Sequence, residues 1–140
     1  MTLQTPFERQ LIRHEGLKLS PYHDTEGILT IGVGHNLERG ISESIAMAML
    51  REDIQVHAEE MEQVFPITTR LDEPRYYVLL NMCFNMGCTR MKGFKRMWKA
   101  VEGEDWGQAA VEMLDSKWSR QVGRRSHELA DIMKTGIWRE

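Results

Sequence analysis

The alternation of hydrophobic and polar positions divides the chain into one helix, a short β region and then helices to the end. The first helix has a clear start, because Thr5 is a capping residue, Pro6 takes the first helical position and Glu8 the third. This combination is a capping box, which is typical of a helix N-terminus. Gly16 is predicted to end the helix.

Residues that favour β-strands dominate the next segment, from Lys18 to Leu37. The runs Lys18-Leu19 and Leu29-Thr30-Ile31 are typical of strands, and Ser20-Pro21 interrupts the region after the first run. Between the two runs lies Asp24-Thr25-Glu26-Gly27, which has the residues of a hairpin turn. The segment therefore predicts a small antiparallel sheet of two or three strands.

A second helix is predicted from Ser42 to about Phe65-Pro66, since hydrophobic residues recur there at helical spacing. Its apolar face is formed by Ile45, Met49 and Val56. The following segment, Tyr76–Phe84, is apolar nearly all round, as expected of a helix buried in the middle of a helical core. Gly87 is predicted to end that helix.

The remaining sequence predicts several shorter amphipathic helices packed around the central one. Large apolar side chains at helical spacing are usually core residues. On this basis we expect four of them to be buried, namely Met82, Phe84, Trp118 and Trp138. Asn81 and Asn85 are polar residues on the apolar central helix, so both need hydrogen-bond partners. Asn85 is a candidate for the floor of a binding cleft.

The predicted fold class is α+β and mostly helical. We find no repeat, low-complexity tract or linker, so residues 1–140 form a single domain. Its small lobe, which contains the β-sheet, covers about residues 15–65, and its larger helical lobe covers about residues 1–14 and 66–140. With 140 residues the domain is long enough to bury roughly 70% of its unfolded surface.

Charge is divided unevenly along the chain, although the formal net charge is only -3. Residues 1–88 carry 7 Lys/Arg against 13 Asp/Glu, whereas residues 89–140 carry 11 against 8. The C-terminal part is therefore the side that would face an anion. This modest positive charge is all that favours a nucleic-acid binder, so we expect no nucleic-acid partner.

Cofactors and metals are not expected. Gly32-Val33-Gly34 lacks the third glycine of a dinucleotide-binding loop, because Leu37 stands at that position. The five histidines are scattered without ligand spacing. Cys83 and Cys88 make no metal framework, and on a continuous helix their Cα atoms would be too far apart for a disulfide. We expect both to be reduced thiols.

Three polar residues near the hairpin are candidates for catalysis. Glu15 lies at the predicted end of the first helix, Asp24 at the hairpin turn and Thr30 on the returning strand. Two carboxyl groups across a cleft can divide acid and base work, as glycoside hydrolysis requires. Such side chains can also simply solvate a turn, so their spacing alone leaves both interpretations open.

Several longer segments have a recognisable pattern: His14-Glu15-Gly16-Leu17, Tyr22-His23-Asp24-Thr25-Glu26-Gly27, Leu29-Thr30-Ile31-Gly32-Val33-Gly34-His35, Asn81-Met82-Cys83-Phe84-Asn85-Met86-Gly87, Gly93-Phe94, Ser116-Lys117-Trp118, Arg125 and Thr135-Gly136-Ile137-Trp138. In these segments the sequence resembles phage lysozymes of the T-even type, the family 24 glycoside hydrolase muramidases, over nearly its whole length. The spacing of Glu15, Asp24 and Thr30, nine and then six residues, equals that of the family. The resemblance implies a lysozyme-like fold.

The resemblance also implies an activity, the hydrolysis of the β-1,4 bond between N-acetylmuramic acid and N-acetylglucosamine in peptidoglycan, with inversion at the sugar. Glu15 matches the general acid of the family, and Asp24 and Thr30 match the residues that hold the attacking water. Arg125 matches an arginine that pairs with the catalytic Glu. His35 and Asp53 match a structural ion pair.

The segment between His35 and Ser42 is shorter than in the T-even enzyme, so we expect a trimmed small lobe. No apolar run is long enough for a signal peptide or a membrane span, so we expect a soluble protein made in the host cytoplasm. As a phage or prophage endolysin it would act on peptidoglycan glycan strands in the periplasm, after a holin-type lesion, without stable membrane association. We expect a monomer. The alternative is a non-catalytic lysozyme-like module that binds peptidoglycan or has a structural role.

Overall fold

The computed structural model describes residues 4–140. The chain forms two compact units, one extending up to Met49 and the other comprising Leu50–Glu140. The smaller unit contains a helix and a three-stranded antiparallel sheet, and the larger one is helical. The predicted α+β class, mostly helical with a small sheet near the N-terminus, is therefore confirmed.

The first helix, α1 (Pro6–Glu15), begins where the capping box predicts. The Thr5 hydroxyl accepts the Glu8 backbone N–H at 3.1 Å, and the Glu8 carboxylate accepts the Thr5 N–H at 2.8 Å. The bond from the Thr5 backbone N–H lowers the pKa of Glu8, because it favours the charged carboxylate. Gly16 ends the helix with φ of 81°, so Glu15 is the last residue of α1.

Three strands follow α1, namely β1 (Lys18–His23), β2 (Leu29–Gly32) and β3 (His35–Asn36). They lie in the order β1-β2-β3, and both pairings are antiparallel. The central strand places Thr30 opposite Tyr22 on one side and Asn36 on the other. The predicted sheet is confirmed, and its register surrounds Thr30 with backbone on both sides.

The remaining segments are helical. The long helix α2 (Glu43–Val64) crosses the boundary between the two units and is capped by Ser42, whose hydroxyl accepts the Ile45 N–H at 3.2 Å. Short 3₁₀ turns cover Leu37–Arg39 and Pro66–Arg70. The later helices are α3 (Glu73–Met86), α4 (Cys88–Met91), α5 (Lys95–Glu102), α6 (Trp106–Leu114), α7 (Lys117–Val122) and α8 (Arg124–Thr135).

The core of the larger unit is built on α3, as predicted. Six of its side chains are buried, namely Val78, Leu79, Leu80, Met82, Cys83 and Met86. Trp118 is buried as well, but Phe84 and Trp138 remain 38% and 50% exposed, so the prediction that both are core residues was wrong. Tyr77, Asn81 and Phe84 share one face of α3, because they are spaced at i, i+4 and i+7. That face is the open side of the helix.

The predicted apolar face of α2 is not buried. Ile45, Met49 and Val56 are each about half exposed, and Met61 is the buried residue of this helix. Apolar residues of α2 that reach the core of the larger unit lie near its C-terminal end, as Ala58 and Val64 show. Periodicity therefore identified the helix correctly, but it could not tell which turns would find a packing partner.

Cys83 and Cys88 form a disulfide, so the prediction of two reduced thiols was wrong. The prediction assumed a continuous helix between them. Instead α3 ends at Gly87, whose φ of 84° turns the chain before α4 begins. This turn brings the two Cα atoms to 5.1 Å, which is within the range for a disulfide.

Arg75 ties the start of α3 to the end of α8. Its guanidinium donates hydrogen bonds to the carbonyl oxygens of Met133 at 2.7 Å and Lys134 at 3.2 Å. The same group lies over the ring of Trp106 at 4.2 Å, and only 12% of the side chain is exposed. One charged group therefore satisfies two helix-terminal carbonyls, which have no partner within their own helix.

We predict that Arg75→Ala lowers the free energy of unfolding by about 3 kcal/mol, because charge-assisted hydrogen bonds and the stacking on Trp106 are lost together. Urea denaturation of both proteins measures the difference. Arg139→Ala is the matched control, since Arg139 pairs with Asp131 at 3.1 Å in an exposed ion pair. Its cost should be about 0 to 1 kcal/mol. Equal costs for the two variants would contradict the role of Arg75.

Candidate active site

Glu15 stands at the C-terminal end of α1 and is exposed. Its carboxyl group lies against Gly34, in the turn between β2 and β3. A Cβ atom added to Gly34 would be 3.1 Å from Oε2 of Glu15 and 3.3 Å from its Cδ. The absence of a side chain at Gly34 therefore leaves room for this carboxyl group.

Asp24 follows β1 and begins the hairpin turn. One carboxylate oxygen, Oδ1, accepts the backbone N–H of Glu26 at 2.8 Å and that of Ile28 at 2.9 Å. The Asp24 N–H in turn donates to the Ile28 carbonyl at 3.0 Å. An Asp side chain that bonds to the backbone two residues later stabilises a tight turn. These bonds fix the orientation of the carboxylate.

Thr30 lies on the central strand and is only 3% exposed. Its hydroxyl donates to the carbonyl of Ile28 at 2.7 Å. Because that bond uses the hydroxyl proton, the oxygen of Thr30 remains able to accept a hydrogen bond from another group. The backbone of Ile28 therefore bonds to both residues, through its N–H to Asp24 and its carbonyl to Thr30.

The smaller unit thus holds all three candidates predicted from the sequence. Asp24 and Thr30 are joined through Ile28, and Glu15 packs against the turn that follows the strand of Thr30. Chemically, this unit offers one exposed carboxyl group, one carboxylate held by backbone N–H groups and one hydroxyl oxygen free to accept. A proton donor and a water-binding pair can be made from these groups.

Sequence reasoning missed two residues of this arrangement, Ile28 and Gly34. Ile28 acts through its backbone, so its side chain gives no signal in the sequence. The run Asp24-Thr25-Glu26-Gly27 does indicate a turn stabilised by the Asp side chain, and the Ile28 N–H could have been inferred from it. Gly34 has no functional group and was given no role of its own at the site, although a second glycine two residues after Gly32 signals a constrained turn.

Arg125 belongs to the larger unit, on the first turn of α8. Its Nε and Nη2 atoms donate to Oδ1 of Asn81 at 3.0 and 2.6 Å. Asn81, on the buried helix α3, therefore has the hydrogen-bond partner that the sequence predicted it would need. Both residues line a largely apolar cavity of about 270 Å³, together with Leu50, Ile54, Tyr77, Leu80, Phe84 and Trp138. The pairing of Arg125 with Glu15 stays a prediction.

Asn85 is the other polar residue on α3, and it also has a partner. Its Oδ1 accepts the indole N–H of the buried Trp118 at 2.9 Å. Asn85 itself is exposed and lies at the edge of the core, where its side-chain oxygen satisfies the buried N–H of Trp118. Its assignment to the floor of a cleft stays a prediction.

His35 and Asp53 lie in different units. His35 is on β3, with Nε2 2.8 Å from the carbonyl oxygen of Gly40, and Asp53 is an exposed residue of α2. Their structural ion pair therefore stays a prediction.

A larger cavity, of about 600 Å³, contains none of the candidate residues. It is lined by residues of α5 and of the segment around α7, including Arg96, Lys117 and Trp118. Within residues 4–140, no group of three His, Cys, Asp or Glu side chains is arranged to hold a metal ion. No helix in that part of the chain is both long and apolar enough to cross a membrane.

The fold is mostly helical with a small sheet, and carboxyl groups lie at a helix end and on a hairpin, as expected of a lysozyme-type glycoside hydrolase. Comparison with known proteins agrees. The family model described as Phage lysozyme matches residues 12–132. The chain therefore belongs to the phage lysozyme family and is a muramidase that degrades peptidoglycan.

Individual relatives cover most of the chain. It is 30% identical to the probable T4-type lysozyme 2 of Dictyostelium discoideum, over 90% of this chain and 92% of that protein. It is 36% identical to the endolysin of Acyrthosiphon pisum secondary endosymbiont phage 1, over 87% and 84% respectively. The pre-baseplate central spike protein Gp5 of Enterobacteria phage T4 is 28% identical over 90% of this chain, which spans only 27% of that protein.

We predict that Trp118→Phe costs about 1 kcal/mol of unfolding free energy beyond the change in packing, because the hydrogen bond to Asn85 is lost. A double-mutant cycle with Asn85→Ala isolates this term, since either change alone removes the bond. Chemical denaturation of the four proteins measures it. Additive costs would contradict an energetic link between the two side chains.

Proposed function

We propose that the chain hydrolyses the β-1,4 bond between N-acetylmuramic acid and N-acetylglucosamine, with Glu15 as the general acid. Asp24 and Thr30 bind the attacking water on the opposite face of the sugar, so the reaction inverts the anomeric carbon. Support comes from the spacing of the three residues, which the family shares, and above all from the backbone of Ile28, which bonds to both Asp24 and Thr30.

Each residue has a defined task in this mechanism. Glu15 donates its proton to the glycosidic oxygen as the bond to the leaving sugar breaks. Thr30 accepts one hydrogen of the water, because its own proton is donated to Ile28. Asp24 takes the other proton as the water oxygen attacks the anomeric carbon. In inverting glycosidases the two carboxyl groups stand roughly 6.5 to 9.5 Å apart, which leaves room for this water.

The role of Glu15 is tested by the clearing of outer-membrane-permeabilised Gram-negative cells, followed as a loss of turbidity. Glu15→Gln keeps the size of the side chain but cannot donate an acidic proton, so we expect a loss of at least about 100-fold. Glu26→Gln is the matched control. Glu26 is an exposed carboxylate on the same hairpin, and its contact with Asp24 is made by its backbone N–H.

Full activity of Glu15→Gln would exclude the proposed acid. If wild type and Glu15→Gln both bound purified peptidoglycan without releasing soluble fragments, the proposed catalysis would be contradicted and the binding-module alternative favoured. Loss of activity in Glu26→Gln as well would point to a general effect of charge on the hairpin.

The role of Asp24 and Thr30 predicts a stereochemical result. Inversion at a β-linked sugar releases the α-anomer first, whereas a covalent intermediate would release the β-anomer. Proton NMR of the product during the first minutes, before mutarotation equilibrates the anomers, distinguishes the two. Release of the β-anomer would contradict a water held by Asp24 and Thr30.

We also propose that the protein is an endolysin, which acts as a monomer on the host cell wall and gains access to it through a holin-type membrane lesion. Its similarity to a phage endolysin supports this role. Expression in a Gram-negative host should lower culture turbidity only when a membrane-permeabilising protein is expressed too. Glu15→Gln should abolish the lysis. Lysis by the chain alone would contradict the need for a lesion.

A further inference from the structure

Two glycines stand on either side of Val33, and both have positive φ values, 71° for Gly32 and 67° for Gly34. Backbone conformations of this kind favour glycine, because a Cβ atom is strained there. Their surroundings differ. A Cβ atom on Gly32 would meet no atom within 4 Å, whereas one on Gly34 would meet Oε2, Cδ and Cγ of Glu15 at 3.1, 3.3 and 3.3 Å.

We propose that Gly34 is a positioning residue for Glu15, because its bare Cα provides the space that the Glu15 carboxyl group occupies. Gly32 is needed only for the backbone conformation. The inference rests on the proposed function only in assigning the proton transfer to Glu15; the contact itself is independent of that assignment.

The consequence for catalysis follows from the exposure of Glu15. Distances of 3.1 to 3.3 Å are shorter than ordinary van der Waals contact, so a methyl group at position 34 requires the carboxyl group to move. Glu15 is exposed and can move with little cost to folding. A general acid must lie within hydrogen-bond reach of the oxygen that it protonates, so even a small displacement slows the reaction.

The test compares Gly34→Ala with Gly32→Ala, which introduce the same methyl group at similar φ. Initial rates on soluble glycan chains should show that Gly34→Ala lowers kcat on the order of 10- to 100-fold with KM nearly unchanged. Gly32→Ala should keep most of the wild-type kcat. Thermal melts of both variants control for backbone strain, which should lower Tm to a similar extent.

A second measurement does not depend on activity. Carbon-13 NMR of the labelled Glu15 side chain should show a shifted carboxyl signal in Gly34→Ala and an unchanged one in Gly32→Ala. Where alanine prevents folding, Gly34→Asn and Gly32→Asn make the same comparison, because asparagine adopts positive φ more readily.

Equal kcat losses in the two variants, or an unchanged Glu15 carboxyl signal in Gly34→Ala, would overturn the inference. Failure of the proposed function is a separate result, since it would appear as full activity of Glu15→Gln. In that case the NMR comparison still decides whether Gly34 sets the position of the carboxyl group.

Discussion

The larger unit is built around the buried helix α3. Polar groups that are removed from water need hydrogen-bond partners, so the polar side chains of α3 bond to other parts of the protein. Each of its three partnered polar side chains bonds to a different place. Arg75 binds the carbonyls at the end of α8, Asn81 binds Arg125 at the start of α8, and Asn85 binds Trp118 on α7. Hydrophobic packing thus gathers the helices around α3, and these polar bonds specify how α7 and α8 lie against it.

In the smaller unit, too, polar groups are held by hydrogen bonds, but their partners lie only a few residues away in the sequence. None of the apolar side chains of the hairpin is buried, and side-chain bonds to the backbone define its turn. The Ile28 carbonyl accepts from Thr30 and the Ile28 N–H donates to Asp24, so the backbone of one residue holds two of the candidate catalytic residues. A turn organised in this way positions its side chains as a consequence of folding.

Most of this organisation could be anticipated from local chemistry. The capping box at Thr5, the turn residues after Asp24 and the glycine stops at Gly16 and Gly87 act within a few residues, so they can be read directly along the chain. The spacing of Glu15, Asp24 and Thr30 left a turn and a catalytic site both open, and the resemblance to the phage lysozymes made these residues the candidates.

The remaining features depend on the tertiary structure. The exposure of Phe84 and Trp138 depends on which faces find partners. The disulfide between Cys83 and Cys88 follows instead from the local turn at Gly87, which the prediction of reduced thiols did not take into account. The clearance that Gly34 gives Glu15 arises where two separate elements meet. By itself the sequence determined the elements and their caps, because these follow from short-range forces, and its resemblance to a family supplied the candidate residues. Packing decided burial, the hydrogen bonds between helices and the exact position of the Glu15 carboxyl group, because those depend on groups distant along the chain.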